Sequence, residues 1–201
     1  MYHISVTRAL LAIGILDIDT DYNNYKHHTD SYALRYNYER NFKEAFPDSL
    51  IEDLEINLIE QMNALDPVKE IEGAKSLISF LKEKKVPFCF ATGALPKPAM
   101  IKLDHCNIWH DERVLATSKT HESREGFVLH AIQKAKVFYN KPRFDKIISV
   151  GDGIWDLKTA QNLSIDFVGI GDTNKAALLE NGAKKCFSNL EEFKSSLISG
   201  V

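Results

Sequence analysis

Cysteine is scarce in this 201-residue chain: Cys89, Cys106 and Cys186 are odd in number and without CxxC spacing. Neither a disulfide framework nor a zinc site is therefore expected, and a reducing, cytoplasmic setting fits best. Excess positive charge is also missing. With 25 Lys and Arg against 28 Asp and Glu, the net charge is -3, and no Lys/Arg cluster stands ready for backbone phosphates. A nucleic-acid partner is not expected. No apolar run is long enough to span a bilayer, and the longest, Leu10 to Leu16, runs into Asp17 and Asp19 without a small-residue cleavage site. No membrane association is expected, and the oligomeric state has no signature. Internal repeats and low-complexity tracts are absent as well.

The composition is that of an ordinary globular protein, 44% hydrophobic and 26% charged. At this length one sizeable core with a small accessory element is expected. From Glu70 onward, helical and extended patterns alternate with short connections, which predicts βαβ units and a parallel sheet. Helices are predicted over Ile71–Leu81, from Pro96 to about His105, and from an N-cap at Ser123 through Ala135. Others are predicted over Asp156–Leu163, over Lys175–Glu180 stopped by Gly182, and from about Glu191 to Leu197. Strands are predicted over Val86–Ala91, Val114–Ala116, Lys146–Val150, Phe167–Ile170 and near Cys186. The run Leu10–Leu16 reads as a further buried strand, the first of the sheet.

The stretch Asp21 to Pro67 interrupts this rhythm with two helical segments, about Asp30–Phe46 and Leu50–Leu65. It reads as a helical hairpin over the sheet edge. The expected organisation is thus a Rossmann-like three-layer α/β core made of residues 1–20 and 68–201, and a small α-helical cap, 21–67, inserted after the first strand. Most of the tyrosines fall in that insertion, between Tyr22 and Tyr38, where cap-to-core packing is the expected use.

Polar groups follow three of the apolar runs: Asp17 and Asp19, then Thr92, then Gly151, Asp152 and Asp156. If each run is a parallel strand, all three clusters sit at the carboxyl edge of one sheet, where open α/β folds bind ligands. Carboxylates in that arrangement suit a hard divalent cation such as Mg²⁺ beside a phosphate.

The ordered set Ile15-Leu16-Asp17-Ile18-Asp19, Phe90-Ala91-Thr92-Gly93, Ser123-Arg124-Glu125-Gly126 and Val150-Gly151-Asp152-Gly153-Ile154-Trp155-Asp156 resembles the haloacid dehalogenase superfamily, specifically its helical-cap phosphatases of the phosphoglycolate phosphatase type. The resemblance implies a Mg²⁺-dependent phosphatase acting on a small-molecule phosphate ester through an aspartyl-phosphate. Asp17 would be the nucleophile and Asp19 the general acid and base. Thr92 and the Gly93 amide would hold phosphoryl oxygens, and Arg124, or alternatively Lys119, would supply the cation. Asp17, Asp19, Asp152 and Asp156 would form the metal site, Asp156 orienting Arg124 or a metal-bound water.

Thr20 and Asp21 depart from the pattern, since the family continues after its second Asp with Gly and then Thr or Val. A catalytically weak phosphate-binding protein is the alternative that this departure raises. Carbon-halogen hydrolysis is a more distant one. Trp155 is expected to pack the loop that carries it, and His27 and His28 lie at the cap entrance.

Overall fold

The computed structural model describes residues 2–21 and 24–199, so Tyr22 lies outside the described residues. Three helices come first: α1 (Tyr2–Ala12), α2 (Asp30–Phe42) and α3 (Leu50–Asn63). Next come α4 (Ala74–Glu83), β1 (Phe90–Ala91), α5 (Pro96–His105), a 3-10 turn at Glu112–Val114 and β2 (Leu115–Ala116). Alternation then continues through α6 (Arg124–Phe138), β3 (Ile148–Gly151), α7 (Ile154–Asn162), β4 (Asp166–Ile170), α8 (Lys175–Glu180), β5 (Cys186–Phe187) and α9 (Leu190–Ser199). The α/β class expected from the sequence is what the fold shows.

The stretch expected to be the first strand is not one. Val6, Ala9 and Leu10 recur at helical spacing and are buried, which makes Tyr2–Ala12 an amphipathic helix. Gly14 stops it with φ +86. Gly14 N–H donates to the Leu11 carbonyl at 3.0 Å and Ile15 N–H to the Leu10 carbonyl at 3.1 Å, the paired bonds of a glycine-terminated helix. A chain that bonds backward on itself in this way has no ladder to offer a sheet. Leu16, expected to be a buried strand end, is 77% exposed.

The location of the first helix also alters the expected division of the chain. The sequence predicts residues 1–20 in the α/β part and 21–67 as the cap. Instead α1 packs on α3, and Val6, Ala9, Leu10 and Ile15 share one apolar cluster with Leu34, Leu54, Leu58 and Leu95. The helical unit therefore begins with α1.

The sheet is in two parts, both parallel. One pairs β1 with β2, and the other runs β3-β4-β5. Helices α6 and α7 lie side by side, α6 on β1 and β2, α7 on β3 and β4. On the opposite face, Leu77 of α4 and Phe193 of α9 bury Val168 and Ile170 of β4.

The helical unit is pinned to the α/β part at the N-terminus of α2. Thr29 caps the helix, its Oγ1 accepting from Tyr32 N–H at 3.3 Å and donating to the Glu122 carbonyl at 3.2 Å. Asp30 N–H donates to the Gly93 carbonyl at 2.8 Å, and the Asp30 carboxylate accepts from Leu95 N–H at 2.9 Å. Arg35 adds an ion pair to Glu122 at 2.7 Å. Because Asp30 and Leu95 are both buried, replacing the carboxylate leaves a buried N–H unpaired. Asp30→Ala is expected to destabilise the protein by about 2–3 kcal/mol, read as a lower urea midpoint with an unchanged slope; a midpoint within error of the parent would contradict this role.

Candidate functional site

The turn after β1 is built for close approach. Thr92 N–H donates to the Ala116 carbonyl at 3.0 Å, which fixes the turn to β2. Thr92 Oγ1 accepts from Ala94 N–H at 3.2 Å, so its own proton is free to donate outward. At Gly93 an added Cβ would come within 2.8 Å of the His28 carbonyl oxygen, so only glycine lets α2 dock here. Ser118 N–H donates to the Ala94 carbonyl at 3.1 Å. Ser118 is 1% exposed, and its hydroxyl is buried with no hydrogen-bond partner.

The second cluster lies at the starts of α6 and α7. Ser123 caps α6 through Oγ, which accepts from Gly126 N–H at 3.2 Å. One turn in, Arg124 Nη1 meets Asp156 Oδ1 at 2.6 Å, and Asp156 Oδ2 accepts from Gly153 N–H at 3.2 Å. Burial pushes the Asp156 carboxyl above its usual range, against the pull of Arg124 and the Gly153 N–H. Asp152, at the carboxyl end of β3, is exposed, and its carbonyl accepts from Asn174 Nδ2 at 2.9 Å.

Trp155 and His28 join the two clusters. The His28 and Trp155 rings stack with centroids 5.2 Å apart, and the Arg124 guanidinium lies 5.7 Å from the Trp155 ring. Since the His28 carbonyl abuts Gly93, the path Gly93–His28–Trp155–Arg124–Asp156 is continuous. A cavity of about 180 Å³ opens beside it, lined by His3, Tyr25, His28, Asp30, Gly93 and Ala94 among others.

Asp17 and Asp19 are elsewhere. Asp17 pairs with Arg40 at 3.1 Å, and its N–H donates to Asn41 Oδ1 at 2.9 Å; both partners belong to the C-terminal end of α2. Thr92 and Gly93 adjoin Thr29 and Asp30 at the other end. At 1.5 Å per residue, the eleven steps from Asp30 to Asn41 span about 16 Å. A nucleophile must come within roughly 3–3.5 Å of the atom it attacks. Asp17 therefore does not reach a phosphorus atom held at Thr92, because the residues before it form a helix end rather than a strand of the sheet.

Asp19 sits midway along α2 with its carboxylate already occupied. Asn24 Nδ2 and Tyr36 Oη donate to Oδ2, each at 2.9 Å, and Asp21 N–H donates to Oδ1 at 2.9 Å. These donors, Asn24 foremost, then Asp21 and Tyr36, hold its carboxyl below the usual range. A general acid at neutral pH needs a raised value instead. Asp21 thus turns back on Asp19 rather than adding to a metal site, and Thr20 is exposed beside it.

Of the residues expected at the site, Thr92, Gly93, Arg124, Asp152 and Asp156 occur at one edge, and Asp17 and Asp19 do not join them. Lys119 is exposed on the loop after β2. Among the described residues no three His, Cys, Asp or Glu side chains converge on a point that a metal ion could occupy. Asp152 is a single exposed carboxylate and Asp156 is engaged by Arg124 and Gly153, so the donors present do not compose an Mg²⁺ shell. Asp30, Ser118 and Glu122 carried no motif and were not expected at the site. Asp30 preceded by Thr29 is a helix-start signature that could have pointed to it. The thiol of Cys89 is pushed up to about 11 by burial, which leaves it unreactive.

The haloacid dehalogenase-like hydrolase family model matches residues 7–163, and the chain belongs to that family. Solved structures share its fold. A hydrolase from Pseudomonas syringae superposes with a TM-score of 0.69 at 18% identity, covering 98% of this chain and 90% of that one. A HAD hydrolase of family IA, variant 3, from Entamoeba histolytica gives 0.64 at 15% identity, with coverage of 95% and 86%. A HAD family hydrolase from Deinococcus radiodurans R1, with bound phosphate and sodium, gives 0.58 at 15%, with 98% and 88%. No curated protein matches the chain. No helix of the described residues is long and apolar enough to cross a membrane.

Removing Arg124 would strand the Asp156 carboxylate. The folded Asp156 value lies above its ordinary 3.8, so the native state binds the extra proton and stability falls as pH rises through the interval between the two values. Arg124 opposes that shift, so its loss widens the interval upward. Arg124→Ala is expected to cost about 2–3 kcal/mol at neutral pH, with the deficit shrinking on acidification. Denaturant melts of both proteins across the acid range test this; a deficit that grows toward low pH would refute it.

Proposed function

We propose that the chain binds the phosphate group of a small phosphate ester at the Thr92–Gly93 turn and Arg124, and that it contributes little or no hydrolysis through Asp17 or Asp19. The observation that carries this reading is the continuous path from Gly93 through His28 and Trp155 to the Arg124–Asp156 pair. Phosphate oxygens accept hydrogen bonds only, and the path presents donors. The Thr92 hydroxyl supplies one, and the Ser118 hydroxyl, buried beside Ala94, is available as a second. A guanidinium has five N–H groups, and the bond to Asp156 uses one of them, so Arg124 can hold a phosphate without releasing Asp156. Asp156 keeps the guanidinium oriented and neutralises part of its charge, which favours exchange of ligand over permanent capture.

The family supports phosphatase-type chemistry, and the expectation from the sequence was an aspartyl-phosphate route with Mg²⁺, Asp17 attacking and Asp19 serving as acid and base. The position of Asp17 at the far end of α2 and the low carboxyl value of Asp19 weigh against those two roles. Asp152 is the remaining carboxylate at the edge, suited to orient water or a cation there.

Substitutions at Thr92 and Arg124 and a substitution at Asp17 are expected to act in opposite ways. With inorganic phosphate or vanadate as the probe, Thr92→Val and Arg124→Ala are each expected to weaken binding at least about tenfold, the scale of one charge-assisted hydrogen bond. Asp17→Asn is expected to bind like the parent. Hydrolysis of an aryl phosphate with Mg²⁺ supplied is the companion measurement: Asp17→Asn should leave any turnover unchanged, and a complete loss would restore Asp17 as the nucleophile.

A further inference from the structure

The cavity beside the Thr92–Gly93 turn takes its walls from three places: Val6 of α1, Ala33 of α2, and Gly93 with Ala94 after β1. Val6, Ala33 and Ala94 are buried. Tyr25, Thr29 and Asp30 also line it, and so does His28, whose ring stacks on Trp155. Gly93 and His28 therefore belong both to the cavity wall and to the path that leads to Arg124.

What the wall can offer a ligand is limited by the bonds it already makes. The Tyr25 hydroxyl donates to the Asp19 carbonyl at 2.6 Å and accepts from Asn37 Nδ2 at 2.7 Å. Thr29 Oγ1 donates to the Glu122 carbonyl and accepts from Tyr32 N–H. The Gly93 and Ala94 carbonyls accept from the N–H groups of Asp30 and Ser118. Neither hydroxyl has a proton left to give, so the oxygens of a polyol placed here would be desolvated without replacement donors from them. Asp30, the one carboxylate among the described residues of the wall, opposes a second anionic group. Burial, and after it the nearby Arg124, holds the His28 ring below its usual value, so it lines the wall uncharged.

Size narrows the occupant further. At about 180 Å³ the space is close to an engineered apolar cavity of about 150 Å³ that holds one benzene molecule. It is well below the roughly 300–1,000 Å³ of sites for larger ligands. The aliphatic side chains of Val6, Ala33 and Ala94 and the rings of Tyr25 and His28 give an aromatic ring van der Waals contact.

We infer that the cavity selects the organic half of the phosphate ester, and that this half is a single aromatic ring without charged groups or multiple hydroxyls. The ligand is then a free monocyclic aryl phosphate, and not a sugar, glycerol or carboxylate-bearing phosphate. Ring selection rests on phosphate binding at the Thr92–Gly93 turn and Arg124, with the ring carried past Gly93.

Titration calorimetry without added metal tests this with inorganic phosphate, phenyl phosphate, glycerol 1-phosphate, phosphoglycolate and a phosphotyrosine tripeptide. Phenyl phosphate is expected to bind about tenfold or more tighter than inorganic phosphate, the scale of burying the apolar surface of one ring. The other esters are expected to bind no tighter than inorganic phosphate. Ala33→Leu, which fills the cavity from α2, is expected to bring phenyl phosphate down to the level of inorganic phosphate and to leave inorganic phosphate unchanged. Should that variant not fold, Val6→Phe fills the same space from α1. Failure of inorganic phosphate to bind overturns phosphate binding at the turn and the ring pocket with it. If inorganic phosphate binds, three results overturn the ring pocket alone: equal affinity for phenyl and glycerol phosphates, a tripeptide bound as tightly as phenyl phosphate, or a filled cavity that keeps the aryl preference.

Discussion

The bond on which the site depends is the one from Leu95 N–H to the buried carboxylate of Asp30. It seats the first turn of α2 against the turn after β1, and the reciprocal bond from Asp30 N–H to Gly93 leaves little freedom of orientation. With that end fixed, a rigid helix dictates where everything attached to it must lie. Thr29 and His28 fall at the Thr92–Gly93 turn; Arg40 and Asn41, and Asp17 with them, fall a helix length away. One carboxylate thus shapes the pocket beside the Thr92–Gly93 turn and, through the same helix, holds Asp17 away from it.

Charge placement follows the same division. The Asp17–Arg40 pair is exposed and of little energetic weight, whereas the Arg124–Asp156 pair is largely buried and flanked by Trp155. Asp19 is saturated by donors that favour its ionised form. Asp156 is pushed the other way by burial. Two carboxylates that read alike in the sequence have opposite proton affinities because one is hydrated and hydrogen-bonded and the other is desolvated beside a single cation.

The α/β part was largely legible. Short apolar runs alternating with amphipathic stretches, Ser123 as an N-cap and Gly182 as a stop all appear where the periodicity placed them. Leu10–Leu16 was not legible as a strand or a helix by hydrophobicity alone, since a short apolar run of six hydrophobic residues and Gly14 suits either. What separates the two is Gly14, a helix terminator by its positive φ, together with the spacing of Val6, Ala9 and Leu10. A strand over Leu10–Leu16 would put Asp17 and Asp19 at a sheet edge; the helix that ends at Gly14 does not. Beyond the helix-start signature at Thr29–Asp30, nothing local marked Asp30 or Ser118, because their roles arise from partners 65 and 24 positions away, Leu95 and Ala94.

The exposed strand edges give the clearest physical reason for reading local pattern and tertiary context separately. Val150 and Ile148 have the composition of a central strand, and their burial is that of an edge. Composition reports the environment for which a segment is suited, while exposure reports the environment it has.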